Sequence, residues 1–378
     1  MPVHAVSSES EIVDAVMAAR DWKSPLEIVA GGTKRALGRA VTTMGSVLDV
    51  SALRGIVSYE PDELILTAAP GTPVAEIEAV LAQKGQRLGF APPDWGPLLG
   101  GEAGLGTIGG AIAADANGPA RVRCGAVRDH LLGIRAVNGF GEAFKAGGKV
   151  VKNVTGFDIP KLMCGAFGTL GVLSEVTLRV FPKLPLTVVL CARDLTPEDG
   201  LALLRKVWSS PLDATGLAYS NGRVLIRLEG EKEPLAETCA ALRALTDRAV
   251  EEIAEGEIAF GAIADGAPFA DTPYDVWRAF VPPAGAAQVA AEIDAPLWLA
   301  DWAGGLLWLG TLPGSDGVRG PVAKAGGHAM LLRASEATRE RLAVFEPQDA
   351  ARLAITRSVK AAFDPLGLFN PERMWEGV

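Results

Sequence analysis

Residues Gly104–Pro119 read GLGTIGGAIAADANGP and contain a literal G-x-G-x-x-G at Gly104, Gly106 and Gly109. In a dinucleotide-binding βαβ unit that pattern follows a strand, opens a long helix, and precedes an acidic residue that ends the next strand about 20 residues on. None of these flanks is present. The preceding stretch, FAPPDWGPLLGGEA (90–103), carries three prolines and three glycines and reads as loop. The helix that GGAIAADA could form is broken at Asn117-Gly118-Pro119, and Asp129 precedes its strand instead of ending it. A complete α/β pattern also lies upstream. The glycines therefore argue against a nicotinamide fold, while their chemistry still suits a phosphate: adjacent glycines let backbone N–H groups converge on an oxyanion.

A second stretch of the same kind, AGGTKRALG (30–38), follows the apolar run LEIV and sets Lys34 and Arg35 beside Gly31 and Gly32. Two glycine loops in one chain suit a pyrophosphate. Of the 44 glycines, 18 fall between Gly96 and Gly171, where backbone must turn sharply or pack closely.

The 378 residues are enough for two or three domains with ample core. A net charge of -9 argues against nonspecific nucleic-acid binding. No apolar run approaches the roughly 18 residues of a membrane span, and MPVHAVSSESEIVDAVMAAR lacks the basic-then-apolar order of a signal peptide. These features point to a cytoplasmic or peripherally bound protein. Cys124, Cys164, Cys191 and Cys239 are far apart, so neither an iron–sulfur cluster nor a metal site is expected.

Capping signals and helical spacing predict a helix from SSESEIVDAVMAAR, and strands follow at LEIV, SVLDV and ELILTA. Asn138-Gly139 reads as a hairpin turn between two strands. After Pro185 the glycine density falls. LTVVLCARDL, PEDGLALLRKVW, GRVLIRLEG and PLAETCAALRALTDRA give a β-α-β-β-α rhythm, which predicts a ferredoxin-like second domain. DAPLWLADWAGGLLWLGTL continues that sheet, PQDAARLAITRSVKAAF forms a late helix, and no internal repeat is visible.

Taken with the order of the two loops, RCGAVRDHLLGIRAVNGFGEAFKAGGKVVKNVTGFDIPKLMCGAFGTLGVLSEVTLRVFP (123–182) and FDPLGLFNPERM (363–374) carry a resemblance. The chain resembles flavoproteins of the vanillyl-alcohol oxidase/p-cresol methylhydroxylase type, and within them the E-type subunits of bacterial glycolate oxidase complexes. The resemblance implies an α+β fold: an FAD-binding domain at 1–185, a ferredoxin-like cap or substrate domain at 186–330, and a C-terminal segment, 331–378, returning to the flavin. Residues 30–38 would be the pyrophosphate loop and 104–119 the second flavin loop.

Flavin contacts carried over by motif are Gly31, Gly32, Thr33 and Lys34; Gly106, Thr107, Ile108, Gly109, Gly110, Asn117 and Gly118; Gly125 and Asp129; Thr155 and Gly156; Gly168, Thr169, Gly171 and Val172; and Asn370. Covalent members often carry a histidine at the end of the first loop; here the sequence is GGTKR, which implies noncovalent FAD. The resemblance further implies oxidation of glycolate or another small 2-hydroxy acid, with electrons passed to an iron–sulfur partner subunit in a complex that also holds a larger FAD-binding subunit. The chain departs from related dehydrogenases in placing Phe167 where they have glutamate, and in lacking a glutamate before His328 in AGGHAMLL. His328 is the candidate general base. Arg278 and Arg333 are candidate carboxylate ligands. A noncatalytic electron-transfer subunit and a stand-alone D-lactate-type dehydrogenase remain the alternatives.

Overall fold

A computed structural model describes residues 2–40, 45–148 and 157–378, so Thr155 and Gly156 lie outside the described residues. The chain divides into two compact units, Met1–Ala116 with Ala126–Pro182 and Pro347–Val378, and Asn117–Gly125 with Lys183–Glu346.

The first unit opens with β1 (Val3–Ala5), β2 (Leu26–Val29) and β3 (Ser46–Asp49), a parallel sheet in the order β1-β3-β2. The helix Glu9–Trp22 links β1 to β2. Its start is set by Ser8, whose hydroxyl accepts from the Glu11 amide, and its end by Lys23 in the left-handed conformation. Ile12, Val16 and Ala19, spaced by four and three residues, bury one face against Leu26, Leu48 and Val50.

An antiparallel sheet follows, built from β4 (Ile56–Glu60), β5 (Ile65–Ala68), β7 (Leu131–Val137), β8 (Ala143–Gly147) and β9 (Val172–Arg179) in the order β4-β5-β9-β7-β8. The pair β6 (Gln86–Arg87) and β10 (Phe181–Pro182) stands apart. Leu66, Ala68, Ile134, Ala136, Val176 and Leu178 form its core face. Ile77 and Leu81 of the helix Val74–Ala82 pack there, as do Ile108 and Ile112 of the helix Ile108–Ala113. The β7–β8 connection is wider than a two-residue turn: the Asn138 side-chain oxygen accepts from the amides of Phe140 and Glu142.

The late helix, Ala350–Phe363, returns the chain to β2. Leu26 N–H donates to the Leu368 carbonyl and Asn370 N–H to the Leu26 carbonyl, so residues 368–370 run alongside that strand. The buried Lys360 ammonium fastens the return, donating to Thr169 O (2.6 Å), Phe369 O (2.9 Å) and the Asp364 carboxylate (2.7 Å).

The second unit is one eight-stranded antiparallel sheet. Its strands are β11 (Leu186–Ala192), β12 (Gly216–Ser220), β13 (Arg223–Gly230), β14 (Val250–Glu252), β15 (Asp275–Phe280), β16 (Leu297–Asp301), β17 (Leu306–Thr311) and β18 (His328–Arg333). They run in the order β14-β11-β13-β12-β16-β17-β15-β18. Helices Pro197–Trp208 and Lys232–Ala244 give the first half a β-α-β-β-α-β order, the connectivity of the ferredoxin-like motif. The second half repeats that order with helices Ala286–Ile293 and Arg319–Lys324, and the halves join at β12–β16. The expectation of no internal repeat is corrected at this level: the repeat lies in connectivity, and the residues filling equivalent positions differ.

Residues 331–346, expected with the C-terminal segment, belong to the second unit because β18 pairs with β15. Residues 117–125 join that unit as well. No helix among the described residues is long and apolar enough to cross a membrane.

Candidate functional site

In the first unit, β2 ends at Val29 and the chain turns through Ala30, Gly31 and Gly32, the last with φ +71°. The amides of Gly31, Gly32, Thr33 and Lys34 donate to no acceptor among the described residues. Four consecutive unengaged donors at the end of a strand form a nest for an anion. A Cβ on Gly31 would come within 1.8 Å of the Leu105 carbonyl oxygen, so the two glycine loops meet backbone to backbone. Lys34 sits behind the nest with its ammonium 3.5 Å from the Thr33 hydroxyl. Burial lowers its pKa from the ordinary lysine value, and Asp94 opposes that shift. A partly desolvated cation gains more from an arriving anion than a solvated one does.

The second loop contributes in a different way from that expected. Ile108 and Gly109 donate their amides to the carbonyls of Thr72 and Pro70, and Gly110 donates to the Thr107 hydroxyl. These donors are engaged, so the loop is not an amide nest at 108–110. Its glycines allow close approach instead: a Cβ on Gly109 would lie 2.6 Å from Pro70 Cβ.

The third side comes from Phe167 and Gly168, both at positive φ, and from the C-terminal return. Asn370 accepts from the Ile28 amide (3.0 Å) and donates to the Phe167 carbonyl (2.7 Å), tying β2, the 167–168 turn and the tail together. Arg373 donates to the carbonyls of Lys34 (2.7 Å) and Arg35 (3.2 Å), so the tail also clamps the first loop. Arg35 is held by both oxygens of the buried Glu27.

These elements line an open cleft. Of the residues named from sequence, Gly31, Gly32, Thr33, Lys34, Thr107, Gly109, Gly110, Gly168, Gly171 and Asn370 line it. Ile108 and Val172 are buried in hydrophobic cores behind it. Thr169 is buried, bonding the Ala166 carbonyl. Gly106 gives its carbonyl to the Val74 amide. Asp129 accepts from the Ala126 amide, capping the short helix Val127–His130. Asn117, Gly118 and Gly125 lie in the second unit, where the Gly118 carbonyl accepts from the Trp302 indole (3.1 Å). Arg35, Phe167 and Arg373 also line the cleft and were not singled out as contacts. Arg373 lies inside the quoted FNPERM motif, which was the available signal.

The candidates for substrate chemistry are all in the second unit. His328 is exposed at the start of β18 with its ring stacked on Phe280, centroids 4.8 Å apart. Partial desolvation lowers its pKa from the ordinary imidazole value, against the pull of Glu346. Arg278 is buried on β15 among the rings of Phe280, Trp302 and Trp308. Beside it, burial pushes the Asp301 carboxyl up to about 7, opposed by the Trp302 amide and by Arg278. The expectation for Arg333 is corrected. Its guanidinium donates to the carbonyls of Phe269, Ala270, Thr272 and Tyr274, which fastens the 269–274 segment and leaves no fork for a ligand.

Residues 2–147 match the FAD binding domain family FAD_binding_4. The chain is 34% identical over 365 residues to glycolate oxidase subunit GlcE of Escherichia coli (strain K12), covering 96% of each chain. It is 28% identical over 181 residues to glycolate oxidase subunit GlcD of Bacillus subtilis (strain 168), covering 48% of this chain and 37% of that one. It is 30% identical over 195 residues to a D-lactate dehydrogenase of Archaeoglobus fulgidus, covering 51% and 42%. A solved structure of alkyldihydroxyacetonephosphate synthase superposes with a TM-score of 0.73 over 98% of this chain and 77% of that one, at 14% identity, which shows the fold. The chain belongs to the family of the glycolate oxidase subunit GlcE, with an FAD-binding fold of the p-cresol methylhydroxylase type.

Proposed function

We propose that this chain is the FAD-binding subunit of a glycolate oxidase complex, oxidising glycolate to glyoxylate and passing electrons to an iron–sulfur partner subunit, with a larger flavin subunit in the same complex. The observation that carries the cofactor assignment is the nest of unengaged amides at Gly31–Lys34 in a cleft where a Cβ on Gly31 would strike backbone. These residues fit a pyrophosphate, with Lys34 supplying charge behind it. Asn370 and Arg373 would hold the 167–168 turn and the first loop in place around the cofactor. Among the described residues lining the cleft there is no histidine or cysteine, which supports noncovalent attachment.

FAD, when bound, supplies the acceptor for the hydride of the substrate α-carbon. The substrate hydroxyl proton must go to a base, and His328, whose pKa partial burial lowers, is the candidate to accept it. The absence of a transmembrane helix among the described residues is consistent with a cytoplasmic location and peripheral attachment through partners.

One observation favours a second reading, an electron-transfer subunit without its own substrate. The titratable residues lining the cleft are Lys34, Arg35 and Arg373, all cations, with no base among them. Anaerobic addition of glycolate to the flavin-loaded chain tests both. Bleaching of the flavin band, abolished in His328→Gln, supports catalysis here. A flavin that stays oxidised until the partner subunits are added supports the relay.

A further inference from the structure

We infer that Arg121, stacked on Trp302 in the second unit, binds the carboxylate of a small organic acid, with the indole as its platform. The guanidinium carbon of Arg121 lies 4.5 Å from the Trp302 ring centroid, and the guanidinium donates to no described residue. Arg123, on the same short helix, is paired with Asp213 at 2.9 Å. One arginine of the helix is thus neutralised and the other is not. Stacking holds a guanidinium flat and leaves its in-plane N–H edge open, the geometry that meets a carboxylate with two parallel bonds.

The platform is fixed with unusual care. Trp302 and Ala303 both sit at positive φ, +53° and +59°. A side-chain-bearing residue held there costs about 1–3 kcal/mol, and such strain clusters at ligand sites. The Trp302 indole donates to Gly118 O, three residues before Arg121, and its amide donates to the Asp301 carboxylate at 2.7 Å. The corner and the arginine-bearing segment are therefore stitched together.

A second guanidinium, Arg278, lies 5.3 Å from the same ring, and Phe280 beside it carries the stacked His328. Asp301 lies beside Arg278, whereas Arg319 is paired with Glu346. A guanidinium stacked over an aromatic floor suits a planar monocarboxylate better than tetrahedral inorganic phosphate. The choice of ligand rests on the proposed 2-hydroxy acid reading; the site itself does not.

The test is calorimetric titration of the full-length chain with glycolate, with flavin content measured on the same samples. Wild type should bind saturably, and Arg121→Met should weaken binding at least tenfold with flavin content and thermal midpoint unchanged. Arg121→Lys keeps the charge but loses the fork and the stacking, and should weaken binding several-fold even if the Met variant does not fold. Inorganic phosphate at equal concentration should not compete. No saturable binding by wild type, or equal affinity in a folded Arg121 variant, overturns the inference. A chain without FAD overturns the function proposed above, yet its glycolate titration still tests Arg121.

Discussion

Gly31 and Asp301 show how much one residue decides. At Gly31 the side chain must be absent, because a Cβ 1.8 Å from the Leu105 oxygen forces the two loops apart. Gly31→Ala should lower FAD affinity at least tenfold, at an overpacking cost of about 1–3 kcal/mol, read by flavin titration and thermal unfolding. Asp301 has a folded-state pKa of about 7 against an ordinary 3.8. The native state therefore holds this proton more tightly than the unfolded chain does. Its contribution to stability is full below about pH 4 and is lost as pH rises through 7. Stability of wild type should fall between pH 5 and 8 with a slope that is shallower in Asp301→Asn, measured by urea unfolding at each pH. Glycine positions were legible because spacing alone exposes them. Which glycines offer a free amide was not, because the acceptors that engage 108 and 109 are the carbonyls of Thr72 and Pro70, more than thirty positions earlier in the chain.

At the scale of elements, the C-terminal return holds the site together. Lys360 and Asp364 form a buried pair one helical turn apart, and Asp364 also accepts from the amides of Leu368 and Phe369. Breaking one partner of a buried pair costs about 3–5 kcal/mol. Lys360→Met should lose stability of that order in denaturant titrations and also weaken flavin retention, since Asn370 and Arg373 hang from the same segment. Arg373→Ala should leave stability within about 1 kcal/mol and weaken FAD several-fold, since it removes the clamp on two loop carbonyls. The helix at 9–22 was legible from its cap and helical spacing, and the late helix at 350–363 was expected within PQDAARLAITRSVKAAF. The doubled β-α-β-β-α-β order was not, because its second half carries short, alanine-rich helices such as Ala286–Ile293 and is recognised only once β15 is seen between β17 and β18. The 117–125 excursion was also hidden: its assignment to the second unit depends on contacts such as Trp302 with Gly118, 184 residues apart.

Over the whole molecule, the first unit carries the features that suit a nucleotide cofactor, and the second carries the aromatic–arginine cluster. A ligand that binds only the folded chain stabilises it by about 2.7 kcal/mol at a hundredfold excess over Kd. FAD should therefore raise the thermal midpoint of the flavin-free chain, and NAD should not. The central claim is that the Gly31–Lys34 nest seats FAD, and titration of flavin-free wild type with FAD, beside Gly31→Ala and an NAD control, tests it most directly. The account predicts saturable binding of one FAD per chain, at least tenfold weaker in Gly31→Ala, and no binding of NAD. A wild-type chain that takes up no FAD, or a folded Gly31→Ala that binds it equally well, would contradict the account.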